Sequence, residues 1–166
     1  MTQPISSLIR CAVFVRDLER STAFYRALGL TDTYYEGTLH AGSVAAALVV
    51  APETVTRCRI VKRPGTPNYG MVGLFELTTP TLEPLPCADA ITPRAGEATL
   101  VFYVTDMDAT MAAAAAAGAS VIGPIALFTM PHRSQREGCL RDPDGVLINV
   151  IERPIDEQFS DRPVQV

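Results

Sequence analysis

Short runs of alternating apolar and polar residues recur along the chain, and two of them pass directly into a helical period. The first is LIRCAVFV, residues 8–15, which reads as a strand. Alternation sets Arg10, Ala12 and Phe14 on one face and Cys11, Val13 and Val15 on the other. Arg10 is the anomaly, a charge where a buried strand carries none. The residues that follow, DLERSTAFYRALG, begin with a good N-capping Asp and end in Gly, which brackets a helix of about three turns.

The second run, LVFYVTDMDATMAAAAAAG, repeats that grammar. Each copy is an apolar strand ending in Val-x-Asp, then a helix, then a glycine. One offset of 89 residues separates Asp17 from Asp106 and Gly29 from Gly118, which marks an internal duplication. In the second copy Thr99, Val101 and Tyr103 share one face, and Leu100, Phe102 and Val104 the other.

Further strands follow each helix. TDTYYEG, TRCRIVKR and GMVGLFELTT follow the first, with a short helix expected in HAGSVAAALVVAPETV between the first two. SVIGPIAL, FTMPH, EGCLRD and GVLINVIE follow the second, the last two joined by an RDPDG turn. The expected organisation is an α+β fold of two βαβββ modules, residues 1–79 and 98–152, within one structural domain. Residues 80–97, rich in proline, read as a linker, and 153–166 as a polar tail.

Composition adds limits. Charged residues make up 19% of the 166, below the ~25% typical of soluble chains, which points to extra buried surface such as a dimer interface or an apolar cavity. A net charge of −4 without a basic run argues against nucleic acid as a partner. The apolar window VAAALVVA is too short to span a bilayer, so no membrane partner is expected. MTQPISSLIR has no signal-peptide pattern, and Cys11, Cys58, Cys87 and Cys139 form no C-x-x-C motif. A cytoplasmic chain with reduced thiols is expected.

The stretches VRDLERSTAFYRALGL and RDPDGVLINVIE, with the duplication, resemble the signatures of the vicinal oxygen chelate superfamily. That superfamily includes glyoxalase I, bleomycin-resistance proteins and extradiol dioxygenases. The resemblance spans about residues 6–152 and implies curved sheets of two βαβββ modules around a cavity. In metal-using relatives, one residue from the first strand and one from the last strand of each module point into that cavity, as histidines and glutamates. Transferred to this chain, the first-strand positions are Arg10 and Thr99, and the last-strand positions Glu76 and Asn149.

Only Glu76 among these is a good metal ligand. Arg10 is a permanent cation without a lone pair to donate, and Thr99 and Asn149 are poor neutral donors. The expectation is therefore no metal and no cofactor. Arg10 either forms a buried ion pair with Glu76 or binds a carboxylate or carbonyl oxygen of a ligand while Glu76 moves a proton. His132, in FTMPHRSQREG, is the second acid–base candidate, and His40 a weaker one. Phe14 and Tyr103, mates in the repeat, either line the cavity or pack as ordinary core. Ligand contacts are expected from Arg10, Phe14, Thr99, Tyr103 and Asn149.

Three functions remain open: a metal-independent lyase or isomerase on a small carboxylate- or carbonyl-bearing molecule, a metal-free binding or resistance protein, and a scaffold with a plugged cavity. The resemblance adds an expected homodimer.

Overall fold

A computed structural model describes residues 5–39, 47–79, 81–83, 92–131 and 133–153. The chain forms two compact units, Met1–Pro84 and Leu85–Val166. In the first, β1 (Arg10–Val15), α1 (Leu18–Ala27), β2 (Asp32–Leu39), β3 (Thr56–Lys62) and β4 (Met71–Leu77) follow in order. The second repeats the plan with β5 (Thr99–Val104), α2 (Met107–Ala116), β6 (Ser120–Met130), β7 (Arg133–Arg141) and β8 (Leu147–Glu152). Each unit holds one four-stranded mixed sheet, ordered β1-β4-β3-β2 in the first and β5-β8-β7-β6 in the second. β1 runs parallel to β4 and β5 parallel to β8, while the other pairs are antiparallel. The fold is α+β with two repeated βαβββ modules.

The helix brackets act as the sequence predicts. The Asp17 carboxylate accepts from the Arg20 amide at 3.0 Å, and Asp106 accepts from the Ala109 amide at 2.9 Å. Gly29 (φ 98°) and Gly118 (φ 94°) occupy the left-handed region that closes each helix. Two expected strands, SVIGPIAL and FTMPH, are instead one strand, β6. Pairing with β7 runs unbroken through Leu127 and Phe128, and the irregularity lies earlier, between Ile122 and Ala126, where Gly123 takes φ 67° beside Pro124 and the strand bulges. The short helix expected within residues 40–55 falls largely on 40–46, outside the described residues, as do His40 and Cys87.

In each unit one sheet face is covered by the helix. Beneath α1 lie Val13, Val15, Val61, Val72 and Leu74, with Leu18, Phe24 and Tyr25 of the helix buried against them. Arg59 is also on that face. Its guanidinium donates to Glu19 at 2.8 and 3.1 Å, to Thr22 Oγ1 at 2.9 Å and to Glu36 at 2.5 Å, tying α1 to β2 through one cation. In the second unit, buried Arg141 (1% exposed) pairs with Glu97 and donates to the Gly145 carbonyl at 2.8 Å, while Asp142 accepts from the Asp144 and Val146 amides. Glu97, read from sequence as the end of the linker, thus anchors the RDPDG turn.

The hydrogen bonds from Arg59 hold both the Glu19 and Glu36 carboxyls below their ordinary value of 4.5. Depressed carboxylate values contribute stability that is full above 4.5 and is lost as pH falls through the folded-state values. The urea midpoint is therefore expected to fall on acidification below about 4.5, and to fall less steeply in Arg59→Met. Equal pH slopes for the two proteins would contradict this role for Arg59.

Candidate functional site

The sheet face opposite each helix carries the residues of interest. In the first unit it holds Arg10, Ala12 and Phe14 of β1, Met71, Gly73 and Phe75 of β4, and Cys58 and Ile60 of β3. Cys58, Ile60, Met71 and Phe75 make an apolar cluster there, joined by Leu39 and Leu48. Phe14 is 41% exposed, and its ring stands 6.0 Å from that of Phe75. Arg10 is half-buried and lies over Gly73: a Cβ placed on Gly73 would be 3.6 Å from Arg10 Cδ and 3.0 Å from the Phe75 ring. The glycine makes room for the Phe75 ring, with the arginine stem at ordinary contact distance. Among the described residues, no carboxylate pairs with Arg10. Burial pushes the Cys58 thiol up, and the nearby Arg10 charge pulls the other way.

In the second unit the equivalent face holds Thr99, Val101 and Tyr103 of β5, Asn149 and Ile151 of β8, and Gln135, Glu137 and Cys139 of β7. Glu137 accepts from Gln135 Nε2 at 2.6 Å and from Asn149 Nδ2 at 3.4 Å. Asn149 Nδ2 also approaches Cys139 Sγ at 3.6 Å. Arg153 donates to the Tyr103 hydroxyl at 3.0 Å and lies 4.7 Å from the centre of its ring.

Glu76 does not share this face with Arg10. It pairs in register with Val15, whereas Arg10 pairs with Met71 at the other end of the same two strands. Its parity sets it with Val72 and Leu74 under α1, where it accepts from Arg57 at 2.8 Å while Arg57 also bonds Glu19 of the helix. The second unit builds the same trio: Arg136 bonds Glu152 at 3.3 Å and Asp108 of α2 at 2.8 Å. His132 lies outside the described residues.

Residues 7–150 match the family model of the Glyoxalase/Bleomycin resistance protein/Dioxygenase superfamily. The chain belongs to that superfamily. Solved structures with its fold agree. A glyoxalase family protein from Bacillus cereus superposes with a TM-score of 0.71 at 18% identity, covering 90% of this chain and 97% of that one. A glyoxylase/bleomycin resistance protein/dioxygenase domain from Frankia sp. gives 0.58 at 20% identity, over 89% and 97%. A mutant of the fosfomycin resistance protein FosX from Listeria monocytogenes, complexed with Mn(II) and a dihydroxypropylphosphonic acid, gives 0.56 at 14% identity, over 94% and 97%. A comparison with curated proteins found no match.

For a superfamily member, the strand registers refine which residue stands where. Arg10 pairs with Met71 and Thr99 with Leu147, so the two modules share one register. Ala12 then faces Gly73 where Val101 faces Asn149, and Val15 faces Glu76 where Val104 faces Glu152. The repeat equivalent of Asn149 is therefore Gly73, and that of Glu76 is Glu152. The sequence reading missed Gly73 because it sought a side chain. Gln135 lies outside the strand expected from Glu137 onward; alternation through RSQREGCLR sets Gln135 and Glu137 on one face.

A half-exposed ion pair of this kind is worth about 0.2–1 kcal/mol. Arg57→Met and Glu76→Gln are each expected to lower urea stability slightly, with a favourable coupling of about 0.5 kcal/mol in the double-variant cycle. Strictly additive effects would contradict the pairing of Glu76 with Arg57.

Proposed function

We infer that this superfamily member works without a metal and takes a small, partly apolar molecule through a carboxylate or carbonyl oxygen anchored by Arg10, as a lyase or isomerase. The observation that carries this reading is Arg10 itself, a cation seated over Gly73 near the Phe75 ring, on the face that also carries Phe14, with no carboxylate partner among the described residues. A guanidinium offers five donors in a planar fork, which matches a carboxylate or the negative charge that develops on a carbonyl oxygen. The flanking rings suit an apolar body.

The metal that the superfamily implies does not fit the residues present. The four equivalent positions hold Arg10, Gly73, Thr99 and Asn149: a cation, no side chain, a hydroxyl and an amide. A first-row divalent ion needs about three lone-pair donors of carboxylate, imidazole or thiolate type. Among the described residues, no group of three or more His, Cys, Asp or Glu side chains could hold one.

Within this reading Arg10 and Phe14 hold the ligand on the first unit, and Thr99, Tyr103 and Asn149 are the ligand contacts of the second. His132 is the proton-transfer group carried from the sequence, while Glu76 braces the helix. A homodimer in the cytoplasm, with neither nucleic acid nor membrane as partner, belongs to the same reading. Among the described residues, no helix is long and apolar enough to cross a membrane.

A second reading, a metal-free binding protein, is favoured by one observation: among the described residues no acid–base side chain hydrogen-bonds Arg10. A thermal-shift panel of aromatic and aliphatic carboxylates and ketones tests both. Compounds that raise the Tm of the wild type are expected to bind Arg10→Ala about tenfold or more weakly, since a charge-assisted hydrogen bond is worth about 1.5–3 kcal/mol. Equal affinity in Arg10→Ala would overturn the anchor. Chromatography coupled to mass spectrometry of the incubated compound then separates the readings: a new species, of lower mass for a lyase or equal mass but shifted retention for an isomerase, supports the enzyme, and unchanged compound the binding protein.

A further inference from the structure

The open face of the second sheet carries an unusual carboxylate. Glu137 is half-buried, and both oxygens are held by amides: Oε1 by Gln135 Nε2 at 2.6 Å and Oε2 by Asn149 Nδ2 at 3.4 Å. No cation pairs with it among the described residues. The neighbouring Arg136 is committed to Glu152 and Asp108 on the helix face, and Arg153 lies over Tyr103.

The holder is itself poorly satisfied. Gln135 is 8% exposed, and its Oε1 is buried without a hydrogen-bond partner among the described residues. A buried acceptor left without a donor costs about 1–3 kcal/mol. The amide cannot be turned round to relieve this, because its carbonyl end would then face the carboxylate. The fold thus tolerates an orphaned acceptor in order to aim an N–H at Glu137. Such a cost marks a group held in place for something else.

The surroundings indicate what Glu137 is held for. Its register partner on β6 is Ala126, a residue too small to cover the carboxylate, and on β8 it is Ile151. Gln135 pairs with Phe128, whose side chain shares that face and is 49% exposed. A fixed negative group, uncovered on one side and flanked by an exposed aromatic ring, complements a flat nitrogen cation. Two parallel N–H···O bonds would reach the carboxylate, and the planar group would stack on the ring.

We propose that Glu137, positioned by Gln135 and Asn149 and flanked by Phe128, is a second ligand site, selective for an amidinium or guanidinium group. It lies on the open face of the second unit and has the opposite charge preference to Arg10. Benzamidine is the probe, titrated into the full-length protein and followed by chemical-shift changes and calorimetry. Saturable binding is expected, weaker by about tenfold or more in Glu137→Gln. Gln135→Met, which removes the orphaned acceptor, is expected to bind benzamidine more weakly while melting at or above the wild-type temperature. That split distinguishes a positioning residue from a structural one. Benzamide, the neutral isostere, is expected to bind less well than benzamidine. No binding of benzamidine, equal binding by Glu137→Gln, or equal binding of benzamide would each overturn the proposal.

Discussion

The register of the two parallel strand pairs is the constraint on which the rest of the structure depends. Arg10 opposite Met71 and Thr99 opposite Leu147 fix the face and level of every side chain in the inner strands. A slip of β1 by one residue would carry Arg10 under α1 and turn Val13 and Val15 outward, exchanging that strand's charged and apolar faces. Burial holds the register in place: Val13, Val15, Val72 and Leu74 all stand beneath the helix with almost no exposure.

The duplication is repeated in the electrostatics. In each unit an arginine on the third strand of the module joins a glutamate on the last strand to an acid in the first helical turn, as Arg57 with Glu76 and Glu19, and as Arg136 with Glu152 and Asp108. These trios lie on the covered side and brace helix against sheet. The open faces have diverged. One presents a cation over a glycine; the other presents a carboxylate held by two amides.

Much of the fold was legible in the sequence, because its signals are local. Asp and Gly brackets define the helices, alternation defines the strands and their faces, and the common offset reveals the repeat. Where the sequence reading and the structure differ, the missing information is non-local. Glu76 looks like a cavity carboxylate only until β1 is laid beside β4, a pairing between strands far apart in the chain. Gly73 has no side chain to attract notice, yet its bare backbone is what the Phe75 ring packs on beside the Arg10 stem. The break expected after Leu127 does not occur, because β7 pairs with Leu127, Phe128 and Thr129 in succession. Glu97, in a proline-rich stretch that reads as linker, finds its partner only when Arg141 is buried beside it.

The central claim is that a guanidinium has replaced metal chemistry at this site. Elemental mass spectrometry of untagged protein, purified without chelators, tests it most directly. The account predicts transition metal far below stoichiometric, unchanged when zinc, manganese, iron or nickel is supplied during expression. Near-stoichiometric metal that survives desalting would contradict it.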